Sequence, residues 1–288
     1  MKRCLLTTCV YGLLALPATA ADMAPFYRAP PSVALVSWTG PYVGLTLGGD
    51  WTGGNVTEAV GTTFCNPTVP GCAAGPAAST ALAAAVPGTF STSHSGAIGG
   101  GEFGYNWQLG PVVLGFEADI SGSTLAGGTL TSGARAVAGF PANTVTVSAS
   151  ANAKVDYLGT VRGRAGYLVM PPLLAYITGG LAYGGASSNT TLAESVDGPC
   201  GCGDFPAVHG STSGPRLGWI VGGGVEYMLA PHWTVKAEYL YYDLGSVTYA
   251  LPAIVQTTDT GVPFFGASTA SHVAFTGNIA RAGVNFGF

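Results

Sequence analysis

The chain is poor in charge. Only 8% of its 288 residues are Asp, Glu, Lys or Arg, against roughly 25% in an ordinary soluble domain, and ten bases face fourteen acids. That balance excludes a basic nucleic-acid reader. Long apolar runs are also missing. After the first twenty residues nothing approaches the roughly 18 consecutive apolar residues that a bilayer-spanning helix needs, so no transmembrane helix is expected. Phosphate loops are absent: Gly99-Gly100-Gly101 and Gly222-Gly223-Gly224 are not followed by Lys-Ser/Thr and a helix. Histidine is scarce. His94 beside Ser95 and His272 beside Ser271 would be the hydrolase candidates, but neighbours on a strand face opposite sides and make no nucleophile–base pair. Nothing calls for a cofactor or a resident metal.

What is abundant is glycine, 45 residues, and hydrophobic side chains, 48% of the chain. A surface with so little charge stays dissolved only if lipid covers it.

The start reads as a secretory signal peptide: Met1-Lys2-Arg3, an apolar run from Cys4 to Leu16, then Ala18-Thr19-Ala20, with cleavage expected after Ala20. Without Lys2 and Arg3, eight bases stand against fourteen acids, a net charge of −6. Cys4 and Cys9 leave with this segment, and Cys9 lacks the small residues of a lipoprotein site. The four remaining cysteines, Cys65, Cys72, Cys200 and Cys202, read as two disulfides of an exported protein, and three connectivities are open. Closeness in sequence favours Cys65–Cys72 and Cys200–Cys202. Zinc is disfavoured because one intervening residue between Cys200 and Cys202 is too few. Residues 21–37, with Pro25, Pro30 and Pro31, read as an extended periplasmic lead-in.

From Trp38 onward, eight segments alternate apolar with polar or small residues, the period-two signature of membrane strands. They lie near 40–51, 96–108, 112–123, 154–168, 173–184, 215–228, 233–243 and 273–288. Short connections at Leu109-Gly110-Pro111, 169–172 and 229–232 alternate with long ones near 52–95, 124–153, 185–214 and 244–272. The expectation is an all-β, eight-stranded antiparallel up-and-down transmembrane β-barrel, residues 38–288, with four long extracellular loops and short periplasmic turns.

Parity supports this. A charge facing lipid near the midplane costs about 2–4 kcal/mol, and the strand charges share one face. Lys154, Asp156, Arg162 and Arg164 oppose Val155, Tyr157, Val161, Ala165 and Tyr167. Glu117 and Asp119 oppose Phe116 and Ile120; Lys236 and Glu238 oppose Val235 and Tyr239; Arg216 and Glu226 oppose Leu217 and Val225. Asp243 breaks the rule where its strand is expected to leave the membrane. The inward charges, Glu102, Glu117, Asp119, Asp156, Glu226 and Glu238 against Lys154, Arg162, Arg164, Lys236 and Arg281, read either as a polar conduit or as ion pairs filling a narrow interior. Near balance of sign, and the small bore of eight strands, favour filling. Trp107, Tyr167, Tyr227 and Trp233 beside the short turns, with Trp51, Tyr183 and Tyr241 towards the long loops, suit two interfacial girdles. The C-terminal Arg281, Gly283, Phe286 and Phe288 have the look of a barrel assembly signal, and that reading is favoured over a last strand with lipid-facing aromatics alone.

These residues resemble a known group. Trp38-Thr39-Gly40-Pro41-Tyr42-Val43-Gly44-Leu45, Gly104-Tyr105-Asn106-Trp107-Gln108, residues 159–167 and 178–184, Glu238-Tyr239-Leu240-Tyr241-Tyr242-Asp243 and residues 281–288 are similar to stretches of the alphaproteobacterial outer-membrane immunogenic proteins, within the opacity-type porin-like β-barrel family. The resemblance implies a bacterial outer-membrane address, contact with outer-membrane lipids and lipopolysaccharide, and insertion by the barrel assembly machinery. It does not imply a reaction, because fold alone does not give function. Three readings follow: a structural, surface-exposed barrel whose loops meet host or surface ligands, a narrow porin-like channel for small solutes, and a lipid-modifying enzyme at the rim. The sequence favours the first.

Overall fold

The structure is a computed structural model that describes residues 37–65, 75–85, 88–197, 203–204, 207–257 and 263–288. The expected signal peptide, the expected lead-in up to residue 36, and Cys72, Cys200 and Cys202 lie outside these residues. Cys65 is the last residue of β1, so both expected disulfides involve residues outside those described.

The chain runs β1 (Gly40–Cys65), α1 (Gly75–Ala85), β2 (Thr89–Leu109), β3 (Val112–Ser123), β4 (Ala126–Val137), β5 (Phe140–Met170), β6 (Leu173–Asp197), β7 (Gly203–Asp204), β8 (Val208–Ala230), β9 (Trp233–Thr257) and β10 (Pro263–Gly287). Eight strands close a ring of antiparallel ladders in the order β1-β2-β3-β5-β6-β8-β9-β10 and back to β1. β4 prolongs β3 after a two-residue break, and β7 is a two-residue addition to β6. Closure removes every free edge at this level, as a membrane without water to satisfy backbone groups demands.

The short turns are two residues long. At Pro231-His232 the imidazole-bearing residue adopts φ 70°, a conformation that costs a non-glycine residue about 1 kcal/mol. The last strand holds it there: Gly287 N–H donates to His232 O, and His232 Nδ1 lies 2.8 Å from Gly287 O.

The long connections are a correction to the sequence reading. Among the described residues, the segments 52–95, 124–153, 185–214 and 244–272, expected as loops, are mostly strand, with α1 inside the first. β5 and β6, for example, stay paired from Met170↔Leu173 to Thr144↔Asp197. Most residues there are small or hydroxylic, and the large apolar ones, such as Leu192 and Leu251, are too sparse to mark a membrane strand.

Above the membrane-level ring the wall divides. The β2–β3 ladder ends at Ile98↔Ser123, and the β8–β9 ladder ends at Trp219↔Asp243. Beyond these points, among the described residues, β4-β5-β6-β8 form one sheet and β9-β10-β1-β2 another. Their inner faces pack together through Val145, Val147, Leu192, Leu251, Val273 and Phe275, so the ring carries a two-sheet crown.

Polarity inverts between ring and crown. In the ring, Ile177, Leu181, Val161 and Tyr167 are exposed and Arg162 and Arg164 are buried. In the crown, Val145, Val147, Ala149 and Ala151 are buried, and Thr146, Ser148, Ser150 and Asn152 occupy the other parity of β5. Lipid lies outside the first and water outside the second, so the same hydrophobic effect drives opposite patterns. Bulges keep the strands continuous across the change. One extra residue between Val155 and Tyr157 shifts the parity of β5, and the β9–β10 register shifts beside Gly245, at φ 79°.

Candidate functional site

The ring's interior is filled by charge. Arg162 of β5 pairs with Glu117 of β3, reaches Asp119 at 3.0 Å and Glu238 of β9 at 3.4 Å. Arg164, two residues on and so on the same face, reaches Glu226 of β8 at 2.6 Å and donates to Tyr42 Oη at 2.9 Å. Its guanidinium also lies 4.1 Å from the centre of the Tyr176 ring, a cation–π contact. Arg281 of β10 joins Glu238 (2.8 Å) and Asp119 (3.1 Å). Tyr42 and Tyr176 donate to Glu117 and Glu238, each at 2.8 Å. Thr234 Oγ1 and Asn285 Nδ2 satisfy Glu226, and Thr160 Oγ1 satisfies Asp119.

Glu102, Glu117 and Glu238 bring oxygens within reach of a single cation. That cation is an ammonium: Lys236 Nζ lies 2.6, 3.0 and 3.4 Å from the three. A metal ion would have to displace it.

The structure therefore brings together Glu102, Glu117, Asp119, Arg162, Arg164, Glu226, Lys236, Glu238 and Arg281, all buried. Asp156 and Lys154, both expected inside, are the exceptions and a correction. The bulge turns them outward, where they pair with each other at 2.9 Å, the two side chains 54% and 53% exposed. The sequence counted parity without a bulge, and one extra residue moves every side chain before it to the other face.

Two features the sequence reading missed seal the column. At the short-turn end, Trp38 packs with Val113, Leu174 and Tyr176. Its indole N–H donates to Pro171 O at 3.1 Å, and its backbone N–H donates to Gln108 Oε1 at 2.9 Å. At the other end the apolar crown core is capped by α1, whose Ala77, Ala81 and Ala85, one turn apart, pack into it. Signals for the helix and for the crown core were present. The run from Gly75 to Ala85 is alanine-rich with Pro76 near its start, good helix chemistry, and residues 144–151 alternate Val/Ala with Thr/Ser.

Of the C-terminal residues, Gly283 is buried against Thr46 and Lys236, where a side chain would crowd both. Phe286 makes edge contacts with Trp233 and Phe288, ring centres 5.1 and 5.3 Å apart. Phe288 N–H donates to Pro41 O, so the last residue ties β10 to the start of β1. His94 is buried while Ser95 is exposed, and Ser271 is buried while His272 is exposed. His272 Nδ1 instead meets Thr248 Oγ1 at 2.8 Å.

Residues 10–262 match the family model described as outer membrane protein beta-barrel domain. The 31 kDa outer-membrane immunogenic protein of Brucella melitensis biotype 1 is 33% identical over 249 residues, 85% of this chain and 88% of that one. The 22 kDa outer membrane protein of Rhizobium leguminosarum bv. viciae is 32% identical over 163 residues, 56% of this chain and 59% of its own. Among solved structures, OprG from Pseudomonas aeruginosa aligns at 10% identity and a TM-score of 0.35, covering 87% of this chain and 97% of that one. Closed ring, lipid-facing apolar wall and family match together place the chain in the bacterial outer membrane as a member of the outer membrane protein beta-barrel family.

Proposed function

We propose that this protein is a sealed, non-conducting barrel that anchors a rigid crown outside the cell, where it supports the envelope and meets surface or host ligands. The observation that carries this reading is the filled interior: Trp38, the ionic layer, the apolar crown core and α1 succeed one another along a single axis. A conduit needs hydrated charge, and these charges are paired and buried. The splitting of His94 and Ser95, and of His272 and Ser271, between opposite faces supports a non-enzymatic role. Partners on this reading are outer-membrane lipid and lipopolysaccharide around the ring, the barrel assembly machinery acting on Gly283, Phe286 and Phe288, and ligands at the crown.

Planar-bilayer recording of the purified protein tests it. Silence at salt concentrations where porins conduct is expected; a regular unitary conductance would replace this reading with that of a narrow channel for small solutes.

A further inference from the structure

β6 changes partners near its outer end. Up to Leu192 it is laddered to β8, opposite Val208, and from Ser195 it is laddered to β7, opposite Asp204. Glu194 sits at the exchange, opposite Val147 of β5. It shares the inward parity of Leu192 and is only 4% exposed, and its Oε2 has no hydrogen-bond partner among the described residues. A buried carboxylate without a partner is costly, and a neutral carboxyl far less so.

Nothing described around it supplies a cation. β5 turns Val145, Val147 and Ala149 inward, and α1 turns Ala77, Ala81 and Ala85. Of the other titratable groups turned into the crown, Tyr249 of β9 has its hydroxyl bonded to Ser188 and Thr190, His94 of β2 packs against Gly127, and Arg216 of β8 lies opposite Gly184, over the Phe275 ring at 5.5 Å, far down β6 from Glu194. His209 and His272 face outward, bonded to Thr191 and Thr248; Lys154 and Arg135 are exposed. Glu58, register partner of Ser271, and Asp204, register partner of Ser195, are themselves acids.

We propose that Glu194 is a pH-operated latch of the crown: protonated while the two sheets are closed, it ionises when the outer end of β6 parts from β5 and the carboxylate reaches water. Burial pushes its carboxyl up to about 7, whereas in the opened segment it returns to the ordinary carboxylate value of about 4.3. The closed form thus holds a proton that the open form releases. Closure is tightest below about pH 4.5, weakens about tenfold per pH unit up to about pH 7, and is level above that. The outer end is tight in acid and loosened at neutral pH.

Hydrogen exchange of the purified protein in detergent micelles tests this, read as protection factors corrected for intrinsic rates. Between pH 5 and 7, protection of the β6 amides 188–197 should fall roughly a hundredfold, while that of residues 174–183 in the ring stays constant. Glu194→Gln should keep acid-level protection across the range. Val147→Asn, which offers the carboxylate a donor, should move the fall to lower pH. The proposal is overturned by pH-independent protection in the parent, by a fall that persists in Glu194→Gln, or by one abolished instead by Glu58→Gln.

Discussion

The ring and the crown are made from the same strands, yet they are built inside out with respect to each other. In β5 the segment 160–167 puts Arg162 and Arg164 inside and Val161 and Tyr167 outside, whereas the segment 145–152 puts Val145 and Val147 inside and Ser148 and Asn152 on the other parity. Strand geometry is common to both; the solvent on the outer face differs. The inner face then takes what remains. Behind a lipid-facing wall it holds charges that must neutralise one another, and behind a water-facing wall it holds an ordinary apolar core. The two halves should therefore fail differently.

The largest effect on the barrel as a whole is expected in the ring. Arg162→Ala leaves the buried Glu117, Asp119 and Glu238 to share the remaining cations Lys236 and Arg281, and should destabilise by about 3 kcal/mol, the lower end of the usual cost of breaking a buried pair from one side. Heat-modifiable gel migration should show the barrel melting earlier, with no gain in bilayer conductance. A stable variant with new conductance would mean that water already hydrates these charges. In the crown, Leu192→Ala removes a fully buried side chain and should cost about 2–4 kcal/mol, but locally: crown amides lose protection while the ring's gel migration holds. Loss of the whole barrel would show the two halves to be one cooperative unit.

Ala81→Asp is a milder probe of the same division. It sets a charge on the buried face of α1 and should release the helix, at a cost of about 1–3 kcal/mol, read as protease cleavage near residues 75–85 with the ring intact. The smallest effect is expected outside both interiors. Lys154→Ala breaks an ion pair whose side chains are more than half exposed, and solvent screening should hold the change to about 0.5 kcal/mol or less. Equal effects at Lys154 and Arg162 would contradict the placement of Asp156 outside the network.

The ring was legible in the sequence because its outward residues are large and apolar and its inward ones charged, so Glu117 beside Phe116, or Glu238 beside Tyr239, announces a face. The crown was not. Its inward residues, Val145, Val147, Ala149 and Ala151, are small, and the Ser and Thr between them belong equally to loops. The β5 bulge was hidden for a related reason: Lys154, Asp156, Arg162 and Arg164 share a parity, and only backbone hydrogen bonding reveals the extra residue. Trp38 lay outside the alternating pattern altogether. It read as the point where structure begins, and the ring end it closes is formed by residues more than seventy positions away, such as Val113 and Leu174.

One strand offers the most direct test of the inversion. Leu181 and Thr191 of β6 lie on the same parity, Leu181 in the ring at 68% exposure and Thr191 in the crown, bonded to His209. Single nitroxide labels at these two positions, in a cysteine-free background reconstituted in lipid vesicles, report collision with oxygen, which concentrates in lipid, and with a water-soluble nickel chelate. The label at 181 should favour oxygen and the label at 191 the chelate. Matching accessibility at the two sites, both lipid-like or both water-like, would contradict the division into a lipid-embedded ring and a water-exposed crown.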